Sequence, residues 1–205
     1  MIKLVIATTN LHKIREIRAV LRPLLPFDFL TLCDFPDYKP PREEGATFKE
    51  NAFLKAAHAA AMLQEWVLAD DSGLVVPALD NHPGVRSARY AGEGSTDKDN
   101  RLKLLQELEK IDESERVGYY MCALALASRS GVHKQVEGIV EGRLITKPRG
   151  GSGFGYDSLF QKYDYRKTFA ELDEETKNRI SHRRKALDKL ISTLKLIAAS
   201  PEKSR

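Results

Sequence analysis

Ile2 to Thr8 is a short, β-rich apolar run, and it gives way directly to "NLHKIREIRAVL", where Ile14, Ile17, Val20 and Leu21 recur at helical spacing. Asn10 stands at the boundary and suits a helix N-cap. A buried strand, a short turn and an amphipathic helix point to a sheet with helices packed on it. The rest of the chain repeats that alternation. Phe27 to Leu32 fits a second strand, and "DFPDYKPPREEGA", with its prolines and glycine, reads as loop. Thr47 to Gln64 is expected as a helix, opened by the capping box "TFKE", with Thr47 as N-cap and Glu50 three residues on. Trp66 to Ala69 reads as a strand running into "DDSG", and Asp97 to Leu108 as an amphipathic helix. Arg116 to Ser128 and Val132 to Val140 form an expected hairpin turned near Ser130-Gly131. Ser181 to Ala198 is a long last helix. Strands and helices interleave, with adjacent strands in the middle. The expected class is therefore α/β, a mixed sheet with flanking helices in two lobes with a cleft between them.

The 205 residues fit one large domain or two small lobes sharing a core. A formal charge of +4, from 33 basic and 29 acidic residues, suits a phosphate-bearing ligand as well as a nucleic acid. The basic residues are scattered, apart from Arg183-Arg184-Lys185, which ranks nucleic-acid binding low. Cys33 and Cys122 make neither a disulfide framework nor a zinc spacing. The opening lacks a signal-peptide pattern and no apolar run approaches membrane-spanning length. A cytoplasmic setting without membrane contact is expected, with 199–205, ending "SPEKSR", as a frayed tail.

Several short motifs carry chemistry-bearing side chains. In "ATTNLHK", Thr8, Thr9, Asn10 and Lys13 sit where strand gives way to helix; amides at a helix start, hydroxyls and a lysine favour an anion, while a plain capped turn fits the same residues. "LADDSGL" places Asp70 and Asp71 at a strand end, where carboxylates suit magnesium; an Asp-Ser-Gly turn whose acids cap amides is the other reading. Adjacent strand residues point to opposite faces, so one of the two acids is expected at a given site unless the backbone turns. Asn51, Lys55 and His58 share a helical face that is either solvated or lines a cleft, with Glu43 and Glu44 on the preceding loop. Lys177, His182, Arg183, Arg184 and Lys185 gather at or before the start of the last helix, the end whose dipole disfavours cations. Asp173, Glu174 and Glu175, or an electron-rich ligand, are candidates to offset that. Finally, "GGSGFGYDSLF" crowds Gly150, Gly151, Gly153 and Gly155 around Phe154, Tyr156 and Asp157. A floppy linker has no need of those aromatics; a loop brought close to a flat or anionic partner does.

In combination and order, "LVIATTNLHKIREI", "EEGATFKENAFLKA", "LADDSGLVVPALDNHPGVRSARYAG", "GGSGFGYDSLF" and "KTFAEL…NRISHRRKAL" resemble the inosine triphosphate pyrophosphatases, nearly end to end. Thr9 stands where that family more often has glycine or serine, and Ser158 where it usually has proline. The resemblance implies a single elongated domain of two lobes over 1–205, with the active site in the cleft, usually as a homodimer. It implies Mg2+-dependent hydrolysis of non-standard purine triphosphates (ITP, dITP, XTP) to the monophosphate and pyrophosphate. By position it implies Thr8, Thr9, Asn10, Leu11, His12 and Lys13 on the triphosphate and Ser72 beside the substrate. Asp71 matches the metal-binding acid also proposed as general base, and Glu43 or Glu44 the second metal-side acid. Lys13 and Lys55 would stabilise the departing pyrophosphate. Phe154, Gly155, Tyr156 and Asp157, with Lys177, His182 and Arg183, would form the base pocket, Phe154 stacking on the purine. A Maf-like pyrophosphatase preferring pyrimidines and a nucleotide sensor without turnover are the alternatives.

Overall fold

The computed structural model describes residues 2–199. The described chain opens with strand β1 (Lys3–Ile6), helix α1 (Leu11–Leu21) and strand β2 (Asp28–Thr31). Helix α2 (Phe48–Leu63) and strand β3 (Trp66–Val75) follow, then two 3-10 turns and helix α3 (Asp97–Leu108). Strands β4 (Val117–Ser128) and β5 (Gly131–Leu144), strand β6 (Phe160–Lys162), and helices α4 (Glu174–Ile180) and α5 (His182–Ala199) complete it. The six strands make one mixed sheet in the order β2-β1-β3-β4-β5-β6. β1 runs parallel to both β2 and β3, and β5 antiparallel to β6. The expected mixed α/β class, with a sheet and flanking helices, is the one observed. Of the stretch expected to fray, Ala199 ends α5 and residues 200–205 lie outside the described residues. No helix among the described residues is long and apolar enough to cross a membrane.

The chain divides into two compact units. One takes in residues up to Asp71, Cys122–Gly138 and the chain from Arg183; the other takes in Ser72–Met121 and Ile139–His182. In the first, Leu4 and Ile6 of β1, Ile14, Ile17 and Leu21 of α1, Leu68, Leu124 and Leu126, and Leu187, Leu190 and Leu194 of α5 form one apolar core. Their spacing on α1 and α5 is the helical repeat that buries one stripe. In the second, Leu74, Leu104, Leu108, Tyr120, Val140, Tyr156, Phe160 and Phe169 form another core.

Two local expectations change. The "DDSG" stretch is not a turn: β3 continues through it to Val75. Gly73 permits this, since a Cβ there would stand 2.1 Å from the Ser87 hydroxyl; the Ser87 hydroxyl in turn accepts from the Leu74 amide at 3.0 Å. The second change concerns the basic cluster. Lys177 does lie ahead of the last helix, but in the final turn of a short helix of its own, α4, where a cation is favoured.

Candidate active site

β3 places two acids side by side and alternation sends them to different partners. Asp70 is fully buried. One of its oxygens accepts from the Lys13 ammonium at 2.7 Å, the other from the Arg183 guanidinium at 2.7 Å and the Cys122 thiol at 3.1 Å. Arg183 also pairs with the buried Glu16. Burial pushes the Asp70 carboxyl up, but Arg183 and Lys13 outweigh it and hold the group well below the usual carboxylate range. Burial and the nearby Asp70 charge push the Cys122 thiol up, which keeps it a donor.

Asp71 has other company. Its Oδ1 accepts from the Lys55 ammonium at 3.0 Å and its Oδ2 from the Asn51 amide at 3.2 Å. Lys55 also donates to Glu43 at 3.0 Å and to the Asp70 carbonyl at 2.7 Å. Burial works against the Lys55 charge, but Asp71 and Glu43 prevail and raise its pKa. For Asp71 the balance tips the other way. Burial raises its pKa, Lys55 and Lys13 lower it, Glu43 raises it, and the upward effects win. One ammonium, that of Lys55, is thus shared by two carboxylates.

The α2 capping box holds this arrangement at its edge. The Thr47 hydroxyl accepts from the Glu50 amide, while Glu50 accepts from the Ala46 and Thr47 amides. The Gly45 amide donates to Asn51, so the loop carrying Glu43 is tied to the same side chain that holds Asp71. Of the two adjacent glutamates, Glu43 is the one that reaches Lys55, and Glu44 is exposed. His58, on the same helix, is exposed and meets the Tyr38 hydroxyl at 3.0 Å.

The strand-to-helix turn is shaped by its own side chains. Asn10 caps α1, accepting from the His12 and Lys13 amides at 2.9 and 3.2 Å. Thr8 accepts from the Asn10 amide at 3.2 Å. Thr9, Leu11 and His12 are exposed there. Ser72 is half-buried in β3, directly after Asp71.

A second cluster belongs to the other unit. Asp157, buried, accepts from the Lys177 ammonium at 2.6 Å, the Phe154 amide at 2.9 Å and the Tyr120 hydroxyl at 3.2 Å. The Lys177 ammonium lies 4.7 Å from the centre of the Phe154 ring. His182 stacks on Tyr120, with ring centres 4.8 Å apart. The glycines let the loop close on Asp157: at Gly153, where φ is +77°, a Cβ would stand 2.2 Å from an Asp157 oxygen.

Three cations of "KNRISHRRK", Lys177, Arg183 and Arg184, therefore have acidic partners that the sequence reading did not pair with them. Asp70 and Glu16 offset Arg183, Asp157 offsets Lys177, and Asp188 sits 2.8 Å from Arg184. Asp173 instead caps α4 through the Thr176 amide and hydroxyl. Lys177 and His182 stand with Phe154, Tyr156 and Asp157 in one unit, and Arg183 with Asp70 and Glu16 in the other. Glu16, Tyr120 and Cys122 were not singled out as groups of these clusters. Glu16 had a readable signal, since it lies three residues after Lys13 on one helical face. Cys122, inside an apolar strand, had none.

Glu43 and Asp71 supply hard carboxylate oxygens and already hold a cation between them, the Lys55 ammonium. Among the described residues no three His, Cys, Asp or Glu side chains group as a metal cage. Magnesium is commonly held by one or two carboxylates with substrate phosphates completing its shell. The donor set thus fits a magnesium ion that arrives with a phosphorylated ligand.

Residues 4–193 match the model of the Ham1 family. The chain is 53% identical over 193 residues to a dITP/XTP pyrophosphatase of Protochlamydia amoebophila, covering 94% of this chain and 97% of that protein. It is 50% identical to the dITP/XTP pyrophosphatase of Chlamydia caviae, over 92% of each. Among solved structures, the HAM1 protein of Coxiella burnetii is 40% identical, with a TM-score of 0.86 over 96% of this chain and 100% of that one. The Ham1 protein of Staphylococcus aureus is 37% identical, with a TM-score of 0.82 over 94% and 98%. The matches run through every motif quoted from the sequence, so this chain belongs to the Ham1 family.

Proposed function

We propose that the protein hydrolyses non-standard purine nucleoside triphosphates, dITP, XTP and ITP, to the monophosphate and pyrophosphate. The observation that carries this is a pair of acids and a pair of lysines, Asp71, Glu43, Lys13 and Lys55, assembled in a chain 53% identical to a protein named dITP/XTP pyrophosphatase. In this reading water adds to the α-phosphorus, the bond to the β-phosphate oxygen breaks, and the water's proton is lost to a base. Asp71 and Glu43 would hold Mg2+ together with phosphate oxygens, and the bound ion would neutralise phosphate charge and acidify water. Lys13 and Lys55 donate to the departing pyrophosphate, and Asp70 holds Lys13 in place. Asp71, the less firmly ionised of the two aspartates, is the acid suited to accept the proton. Thr8 to His12 belong to the phosphate side and Ser72 lies beside the substrate.

The cluster of Phe154, Gly155, Tyr156 and Asp157 with Lys177 and His182 takes the base in this reading. Phe154 stacks on the purine, a contact indifferent to which base it is. The donors of Lys177 and His182 favour the position-6 oxygen of hypoxanthine and xanthine over the amino group of adenine, which would leave them unpaired. The protein would act in the cytoplasm as a homodimer; Phe53 and Met62, apolar and exposed on α2, are consistent with a second copy.

Pyrophosphate release from dITP, XTP, ITP, GTP, ATP, dTTP and UTP, with and without Mg2+, tests the reading. Metal-dependent release from the first three and little from ATP or GTP is expected. Preference for dTTP or UTP would move the chain to a pyrimidine-directed role, and binding without release would make it a sensor.

A further inference from the structure

The glycine-rich loop is not held by its own residues alone. Gly155 lies in the left-handed region, at φ +58°, and both of its backbone polar groups are taken by α3. Its amide donates to the Asp97 carboxylate at 2.7 Å, and its carbonyl accepts from the Arg101 guanidinium at 2.8 Å. Asp97 is the first residue of α3 and Arg101 stands one turn on, so two side chains on one helical face grip a single residue of the loop.

The grip is itself anchored. Between the two, the buried Asn100 donates to the Ala88 carbonyl at 3.1 Å and accepts from the Ala91 amide and the Ser95 hydroxyl, each at 2.8 Å. The next loop residue, Tyr156, donates its hydroxyl to the Ser87 carbonyl at 2.8 Å. Asp157 receives the Phe154 amide. Phe154 is thus carried on backbone pinned on both of its sides, leaving its ring mainly side-chain torsions to move.

We propose that Asp97 and Arg101 are positioning residues for purine recognition. They act through the Gly155 peptide, fixing the direction in which Phe154 presents its ring and the distance from Phe154 to Lys177. Ordering the loop before the ligand arrives removes that entropy from the binding step. The clamp therefore governs how tightly the base is held, and not the phosphate chemistry. It rests on the functional reading above, which assigns Phe154 to the base.

The test compares Asp97→Ala and Arg101→Met with the conservative Asp97→Asn and Arg101→Lys. The disruptive variants should raise KM for dITP by roughly tenfold, the loss of one charge-assisted hydrogen bond, and leave kcat within about twofold. Asparagine keeps an acceptor for the Gly155 amide and lysine a donor for its carbonyl, so both should return KM towards the wild-type value. If the Asp97 charge mattered only to the α3 dipole, asparagine would behave like alanine and the proposal would fall. Amide hydrogen exchange over residues 150–157 should quicken in the disruptive variants and not in the conservative ones. Unchanged exchange there, or a fall in kcat at constant KM, overturns the clamp. Should the wild-type protein release no pyrophosphate from any triphosphate, the functional reading fails by itself, and the exchange measurement alone decides whether α3 orders the loop.

Discussion

Asp70 and Asp71 are neighbours with opposite electrostatic fates. Asp70 spends its oxygens on Lys13, Arg183 and Cys122 and is held ionised well below the usual range. A carboxylate so stabilised is a poor proton acceptor and a good anchor. Asp71 shares Lys55 with Glu43 and has its pKa raised, chiefly by burial. Asp71→Asn keeps the size and loses the charge. It should lower kcat for dITP by about a hundredfold or more with the far-ultraviolet circular dichroism unchanged; near-normal turnover would remove Asp71 from the reaction. In the proposed reading Phe154 makes a different contribution, stacking on the base. With stacking worth about 1–3 kcal/mol per base, Phe154→Ala should weaken binding of every purine triphosphate and leave their order of preference alone. A switch in preference, measured as the ratio of kcat/KM for dITP and dATP, would give Phe154 a reading role beyond stacking.

At the level of elements, α2 shows how a local signal reaches the site. Its capping box orders the turn that carries Glu43, and Asn51, one position beyond Glu50, ties that turn to Asp71. Thr47→Ala should cost about 1 kcal/mol in urea unfolding and also raise the Mg2+ concentration needed for half-maximal activity, because Glu43 loses its fixed approach. A stability loss with an unchanged Mg2+ requirement would separate the cap from the metal side. This box was legible because its partners are three residues apart, and so was α1, where Asn10 and an apolar stripe share one stretch. The path of β3 was not. "DDSG" carries turn residues, and what keeps it extended is the fit of Gly73 against Ser87, fourteen residues away. β6, three residues long, shows no alternation to read, and it exists through pairing with β5. The site followed the same rule. Asp71, Glu43 and Lys55 were candidates through the family resemblance, their motifs alone leaving plainer readings open, whereas the pairing of Arg183 with Glu16 spans most of the chain and leaves no local trace.

On the scale of the molecule, that long-range pairing joins α1, β3, β4 and α5 through Glu16, Asp70, Cys122 and Arg183 around a single buried centre. Its stabilising effect has a definite pH signature. The folded-state pKa of Asp70 lies below that of an unfolded aspartate, about 3.9. Its contribution is therefore fully present above that value and is lost as pH falls through the folded one. Asp70→Asn removes it and leaves Arg183 and Lys13 short of charge, so the variant should be less stable by about 3 kcal/mol or more near neutral pH. The gap to the wild type should narrow below about pH 4. Asp71 carries the opposite sign: its folded value is raised, so its ionisation opposes folding once the pH exceeds the unfolded value. Asp71→Asn should then retain or gain stability at neutral pH while losing turnover. Urea unfolding of the three proteins across acid and neutral pH separates these cases. Equal destabilisation by both substitutions, constant with pH, would mean that the two acids are not divided between anchoring and chemistry.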